Sequence, residues 1–181
     1  MTRREQTRDP RGYFGVALWH PKHQVNLGTL LRSAHIFGAA FICTIGQRYQ
    51  RQSSDTIKTP RHTPLFHFAD EADFWAHIPH DCVPVAVELA ERAKPLVHFT
   101  HPQRAVYILG PEDGSLPDWF ISGAHSVVEI PGRFCLNLAV AGSIVLYDRI
   151  AKETARGDAA ARAKAVASLV GVSLPQTPEP Q

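Results

Sequence analysis

The chain is short of cysteine. Its three thiols, Cys43, Cys82 and Cys135, are odd in number and widely spaced. Neither a disulfide framework nor a paired metal site is expected from them, and a reduced cytoplasmic setting is. Long apolar runs are also lacking. No stretch approaches the ~20 residues of a membrane-spanning helix. The N-terminus, MTRREQTRDPRG, has none of the apolar centre of a signal peptide, so no membrane partner is expected. A surplus of one charge sign is missing too: 19 Lys and Arg against 17 Asp and Glu leave a formal +2, too little to argue for a polyanion partner. No loop matches G-x-x-x-x-G-K-[ST] or G-x-G-x-x-G, which removes the support for a nucleoside triphosphate and for a dinucleotide oxidoreductase. Internal repeats and long linkers are absent. What is there, 181 residues of which 44% are hydrophobic, suits one α/β domain with a sizeable core.

The distribution of charge says more than its total. Residues 47–62 hold Arg48, Arg51, Lys58 and Arg61 against Asp55 alone, and residues 1–11 hold four arginines against Glu5 and Asp9. Ten histidines add positive charge below neutral pH. Such stretches suit RNA contact, and equally a solvated loop and a flexible tail.

Hydrophobic periodicity orders the chain. Tyr13–Trp19 reads as a strand, and Asn26 is placed to cap a helix Leu27–Phe37 that buries Leu27, Leu30, Leu31 and Ala34 at helical spacing. Gly38 can end that helix, and Ala40–Ile45 reads as a second buried strand, completing a β-α-β unit of a parallel sheet. Gln47–Pro64 reads as a loop and Leu65–Phe68 as a short strand, with Asp70 capping a short helix through Trp75. Cys82–Val87, Arg104–Leu109 and Val127–Ile130 are further strands, and Pro117–Gly123 a short helix with proline in its first turn. A long apolar helix begins near Leu136, with more apolar surface than a sheet can cover, so a partner subunit is expected on it. An alanine-rich helix is expected after Gly157. The boundaries are a basic flexible segment 1–12, the domain 13–157, a helical extension 158–172 and a flexible tail 173–181.

Three stretches carry chemistry. In Asn26-Leu-Gly28-Thr-Leu-Leu-Arg32, Gly28 and Arg32 stack four apart on one helix face, leaving room over Gly28 for a ligand or for Arg32 to fold back. Read alone, this stretch also suits a capped amphipathic helix with one exposed arginine. Leu109-Gly-Pro-Glu-Asp-Gly-Ser-Leu116 follows a buried strand, and Gly110 and Gly114 permit tight turning at the carboxyl end of the sheet, where open α/β folds bind ligands. A surface turn with a solvated Glu112–Asp113 pair fits it as well. In Ile130–Asp148 the Pro131–Gly132 turn leads to Cys135 and to Asn137, an amide between two leucines that demands a hydrogen-bond partner if buried. No histidine or base lies close in sequence to Cys135, so a pocket-lining role is favoured over a nucleophilic one.

Taken together and in order, these stretches resemble the three motifs of the SPOUT superfamily, specifically the SpoU (TrmH-type) RNA ribose 2′-O-methyltransferases. Asn26-x-Gly28-x-x-x-Arg32 is similar to motif 1, Leu109-Gly-Pro-Glu112-x-Gly114 to motif 2, and Ile130-Pro131 through Leu136-Asn137 to motif 3. The family usually has serine where this chain has Cys135, and the turn from Pro131 to Cys135 is short.

The resemblance implies a mostly parallel sheet flanked by helices, with a C-terminal deep trefoil knot of a kind nearly absent elsewhere. It implies S-adenosylmethionine held bent in the knot by three loops, carrying Glu88 and Leu89, then Leu109, Gly110 and Gly114, then Ile130, Pro131, Cys135, Leu136 and Leu138. It implies a homodimer with the active site at its interface, an RNA substrate (tRNA favoured, rRNA possible), and no metal. Arg32 becomes the central catalytic residue, with Asn26, Glu112 and Asn137 positioning it and the ribose, and Arg32, Arg48, Arg51 and Arg61 facing RNA. A guanidinium normally stays protonated, so a grip on phosphate or on a developing alkoxide is a sounder role than general base. Two alternative readings of the chain share this fold: a non-catalytic RNA-binding relative, against which the intact Asn26, Arg32, Glu112 and Asn137 argue, and a knotted enzyme methylating a base nitrogen.

Overall fold

Residues Tyr13–Trp19 form β1, and their alternation decides the layering. Phe14, Val16 and Leu18 enter one core, while Ala17 enters the other with Tyr13 and Trp19 packed against it. A computed structural model describes residues 12–50 and 52–170, with side chains through residue 157. Arg51, most of the basic N-terminal segment and the C-terminal tail lie outside the described residues. After β1 come α1 (Gln24–Phe37), β2 (Phe41–Ile45), β3 (Leu65–Phe68), α2 (Glu71–His77), β4 (Val83–Val87), β5 (Lys94–Pro95), β6 (Arg104–Leu109), α3 (Asp118–Gly123), β7 (Ser126–Glu129) and α4 (Leu138–Val170). The strands make one sheet in the order β3-β2-β1-β6-β4-β7-β5, and every adjacent pair is parallel. Carboxyl ends therefore share one edge. Leu27, Leu30, Leu31 and Ala34 of α1 and Leu138, Ala139, Val145 and Leu146 of α4 cover one face, and Phe74 of α2 and Phe120 of α3 cover the other.

Four local expectations need correction. Helix α1 begins at Gln24, so Asn26 lies inside its first turn and is not its cap; His23 holds that position with no side-chain bond. A carboxylate from a distant loop serves the helix start instead, as described below. Helix α4 begins at Leu138 and is capped by Asn137, whose Oδ1 accepts from the N–H of Ala139 (2.9 Å) and of Val140 (3.4 Å). The helix expected after Gly157 is the continuation of α4 through Val170. Finally, the 47–62 stretch is not only solvated loop. Asp55 is buried, accepting from the Thr59 N–H (2.9 Å), the Thr59 hydroxyl (2.7 Å) and the Tyr49 hydroxyl (3.2 Å), and Thr59–Arg61 is a 3-10 turn. The one acid of that basic stretch is its anchor. Gly38 does end α1 in the left-handed region (φ 81°) and returns its N–H to His35, and Asp70 caps α2 through the Asp73 N–H (2.9 Å).

At the opposite edge from the strand carboxyl ends, α4 is fastened by a buried polar cluster. Arg149 is only 2% exposed; its guanidinium donates to the carbonyls of Pro102 (2.6 Å) and Gln103 (2.9 Å) and to the Tyr107 hydroxyl (3.1 Å), and lies 5.2 Å from the Phe14 ring centroid. Tyr107 and His101 Nδ1 are 2.6 Å apart, and His101 Nε2 is 2.8 Å from Asp148, which also pairs with Lys152 at 2.7 Å. One proton arrangement satisfies this chain: Arg149 donates to Tyr107, Tyr107 to Nδ1 of neutral His101, and Nε2–H to the Asp148 carboxylate.

That arrangement generates a pH dependence. Burial drives the His101 pKa down, against the pull of Asp148, from an ordinary 6.5 to about 4. Between those values the unfolded chain binds a proton that the folded chain refuses, so stability is complete above pH 6.5 and falls as the pH drops toward 4. We expect thermal melts of His101→Gln to lose part of the decline seen for the unaltered protein over this window. Parallel curves would show that His101 does not carry it.

Candidate active site

Where β4, β6 and β7 end, three loops enclose a cavity of about 380 Å³. The residues after β4 supply Glu88 and Leu89, those after β6 supply Leu109, Gly110, Glu112 and Gly114, and those after β7 supply Ile130, Cys135, Leu136 and Leu138. Of the expected cofactor-contacting residues, only Pro131 is not among those lining the cavity; it is exposed. Sequence reasoning missed Glu129, Phe134 and Ala141 on the walls. Glu129 ends a parallel strand and was within reach of the same edge argument. Ala141 is brought in by the direction of α4 and had no local signal.

Glu88 ties the three loops together. Its N–H donates to the Val128 carbonyl (3.0 Å), Oε2 accepts from the Leu116 N–H (2.7 Å), and Oε1 accepts from the Leu89 N–H (3.0 Å). Gly110 suits the closeness of this packing, because a Cβ there would stand a tight 3.2 Å from the Leu116 nitrogen and 3.3 Å from its Cγ. The lining contains Glu88, Glu112, Asp113 and Glu129 and no lysine, arginine or histidine. Such a cavity favours a cationic ligand and disfavours a phosphate-rich one. Among the described residues, no cluster of His, Cys, Asp and Glu could hold a metal ion.

The three motif stretches meet at Glu112. Its Oε1 accepts from Asn26 Nδ2 (2.9 Å) and the His23 N–H (3.2 Å), and its Oε2 accepts from the Lys22 N–H (3.0 Å). Asn26 Oδ1 in turn accepts from Asn137 Nδ2 (3.1 Å), and Asn137 caps α4. Partial burial alone would raise the Glu112 pKa, but the bonds from Asn26, Lys22 and His23 prevail and hold it below the usual carboxylate range. The carboxylate is therefore ionised at neutral pH and sits at the positive end of α1. Asn137 is exposed rather than buried, so its amide is a presented group and not a buried one in search of a partner.

Other expected residues stand apart. Arg32 is exposed on α1, six residues and ~9 Å along the helix axis from Asn26, and no hydrogen bond among the described residues joins it to the network. Gly28 does not leave room for a ligand: a Cβ there would overlap the Ser54 hydroxyl and stand 3.1 Å from Gln52 Cβ, so the glycine admits the 52–55 loop. Arg48 and Arg61 are exposed on the basic stretch, where Gln24 of α1 accepts from the Gln50 N–H (2.9 Å) and fixes the loop beside the site.

The SpoU rRNA Methylase family model matches residues 13–147. No curated protein matches the sequence. Among solved structures, an AdoMet-bound rRNA methyltransferase from Sinorhizobium meliloti is similar, with 26% identity and a TM-score of 0.68 over 78% of this chain and 57% of that one. The chain thus spans little more than half of that protein. A structure described for 2-OH methylation of C/U34 on tRNA aligns at 20% identity and TM-score 0.67, over 79% of this chain and 92% of that one. The Aquifex aeolicus TrmH/SpoU tRNA modifying enzyme aligns at 16% identity and TM-score 0.71, over 83% and 79%. These last two likenesses speak for the fold alone. The family match covers the strands, the cavity loops and the Glu112–Asn26–Asn137 network together, and on it the chain belongs to the SpoU rRNA methylase family.

Proposed function

We propose that the protein is an S-adenosylmethionine-dependent RNA methyltransferase acting on a ribose 2′-hydroxyl, with tRNA favoured over rRNA as substrate. The observation that carries this is the acid-lined cavity at the sheet edge, tied through Glu112, Asn26 and Asn137 to the helix bearing Arg32. S-adenosylmethionine carries a sulfonium and an ammonium against one carboxylate, a net positive charge that suits Glu88, Glu112 and Glu129 with the apolar walls; Asp113 is already paired with Lys22 at 2.8 Å. When bound, the cofactor supplies the activated methyl group. Backbone from the Leu109–Gly114 and Ile130–Leu138 loops would hold it, with Leu89, Leu136 and Leu138 excluding water.

The chain's own tasks are alignment and charge. Asn137 and Asn26 present amides that can fix the ribose, and ionised Glu112 keeps both in place. Arg32 grips the phosphate beside the target ribose or meets the negative charge growing on its 2′-oxygen. The apolar stripe Val140, Ile144 and Tyr147 of α4, exposed at i, i+4 and i+7, is the surface a second copy would cover, giving a homodimer whose interface completes the site around Arg32. A deep trefoil knot belongs to the same reading, as the family resemblance implies. The choice of ribose and of tRNA is made by analogy with the structure described for 2-OH methylation of C/U34 on tRNA, whose likeness is one of fold.

Three outcomes are expected. Arg32→Ala lowers methyl transfer by at least roughly a hundredfold while calorimetry finds S-adenosylmethionine binding within twofold; full turnover would remove Arg32 from the mechanism. Gly110→Val drives its side chain against Leu116 and abolishes calorimetric binding of the cofactor, and retained affinity would place the cofactor elsewhere. Reversing the charge of Arg48 and Arg51 together flattens the log–log salt dependence of RNA binding by about 1.4, the value for two lost phosphate contacts on single-stranded RNA. Nuclease digestion and mass spectrometry of the product decide between ribose and base as acceptor.

A further inference from the structure

Phe134 is 87% exposed, more than any other large apolar side chain among the described residues. It also lines the cavity. An aromatic ring kept in water at the mouth of a site gains nothing from the fold that holds it there. Its loop is short and folded back, with the Phe134 carbonyl 3.5 Å from where a Cβ on Gly132 would stand. On one side of it in sequence stands the exposed cation Arg133; on the other, Cys135 and Leu136 turn to the cavity, and Asn137 joins the polar network.

We propose that Phe134 is a substrate-positioning residue whose ring stacks on the base of the nucleotide being methylated, with Arg133 meeting an adjoining phosphate. The inference rests on the function proposed above. A ribose presented to the cavity mouth and held at Asn137 carries its base on C1′, the carbon next to the one bearing the 2′-hydroxyl. That base must leave the stack and needs a new apolar surface, which single-stranded RNA sites supply with exposed aromatics. Stacking is tolerant of base identity, since every base has a π-face, so Phe134 positions and does not select. The adenine of the cofactor is a poorer occupant. The interior walls already offer Leu109, Ile130 and Leu138, whereas the Phe134 ring is open to solvent over most of its surface.

The test measures transfer of labelled methyl from S-adenosylmethionine to total tRNA from a strain lacking the gene, with Phe134→Ala, Phe134→Trp and Phe134→Leu compared. Phe134→Ala is expected to raise KM for RNA by roughly fivefold to a hundredfold, the range of one lost base–aromatic stack. Trp restores it and Leu does not, while cofactor affinity and sedimentation stay as in the unaltered protein. Cofactor affinity falling in step with activity would make Phe134 a cofactor lid and overturn the inference. A changed sedimentation coefficient would make it an interface residue, with the same consequence. Leu performing as well as Phe, or an unchanged KM, also overturns it, and leaves the proposed function standing. Failure of the unaltered protein to methylate tRNA or rRNA from that strain defeats the proposed function itself, whatever Phe134 does.

Discussion

The site depends on one carboxylate. Glu112 accepts from two backbone N–H groups at the entry to α1 and from the Asn26 amide, and each of those donors would otherwise be left unpaired or given to water. Glu112 thus ties down the two residues that lead into α1, whose first turn has no side-chain cap. Asn26, inside that first turn, is held by Glu112 and turns to Asn137. A single negative charge thus joins the loop after β6, the start of α1 and the start of α4. The same bonds hold the charge in place, since they lower the carboxyl pKa against the penalty of partial burial.

A clamp at the start of α4 alone would allow the turns that follow it to swing. The Arg149 cluster prevents this. Arg149 spans from α4 to the backbone before β6, and the chain Tyr107–His101–Asp148 continues the tie. Between the two anchors α4 lies close on α1: a Cβ on Gly142 would stand 3.1 Å from Leu30 Cδ2, and Ser143 bonds Ser33 at 2.9 Å. The cavity wall formed by Leu138 and Ala141 is therefore fixed from both directions, as preorganisation of a site requires. Removing Arg149 would leave the buried Tyr107 hydroxyl and the Pro102 and Gln103 carbonyls without its donors, so this anchor holds as a unit.

What was legible in the sequence follows from how local each signal is. The alternation in Tyr13–Trp19, the helical spacing of Leu27, Leu30, Leu31 and Ala34, and the placement of Gly38 are short-range patterns, and each produced the element it predicted. The loop after β6 was legible because ligands collect at the carboxyl ends of parallel strands, whereas the Glu88 and Ile130–Leu138 loops entered only through the resemblance to the family's motifs. Tertiary partners were not legible. Nothing near Asn26 in sequence shows that its bonds go to Glu112 and Asn137, and nothing near Gly28 shows that Ser54 lies over it. Asp55 lies in a stretch that reads as solvated loop, and Arg149 carries no local signal at all, yet both are buried, because their partners come from backbone groups and hydroxyls that leave no charge pattern.

Charge separation explains why a formal charge of +2 said so little. The carboxylates Glu88, Glu112, Asp113 and Glu129 gather in the cavity, while Arg32, Arg48, Arg61 and Arg133 stand exposed on helix and loop surfaces. For the proposed reaction the two regions need opposite signs, since one reactant is a cation and the other a polyanion. A uniformly basic surface would hold RNA well and its cofactor poorly; a uniformly acidic one would do the reverse. Glu88, Glu112 and Glu129 are half-buried at the cavity while the arginines stand outside, so each reactant meets its own field; Asp113, exposed, is neutralised by Lys22. The two fields meet where Asn26 and Asn137 stand, and a boundary of neutral amides disturbs neither.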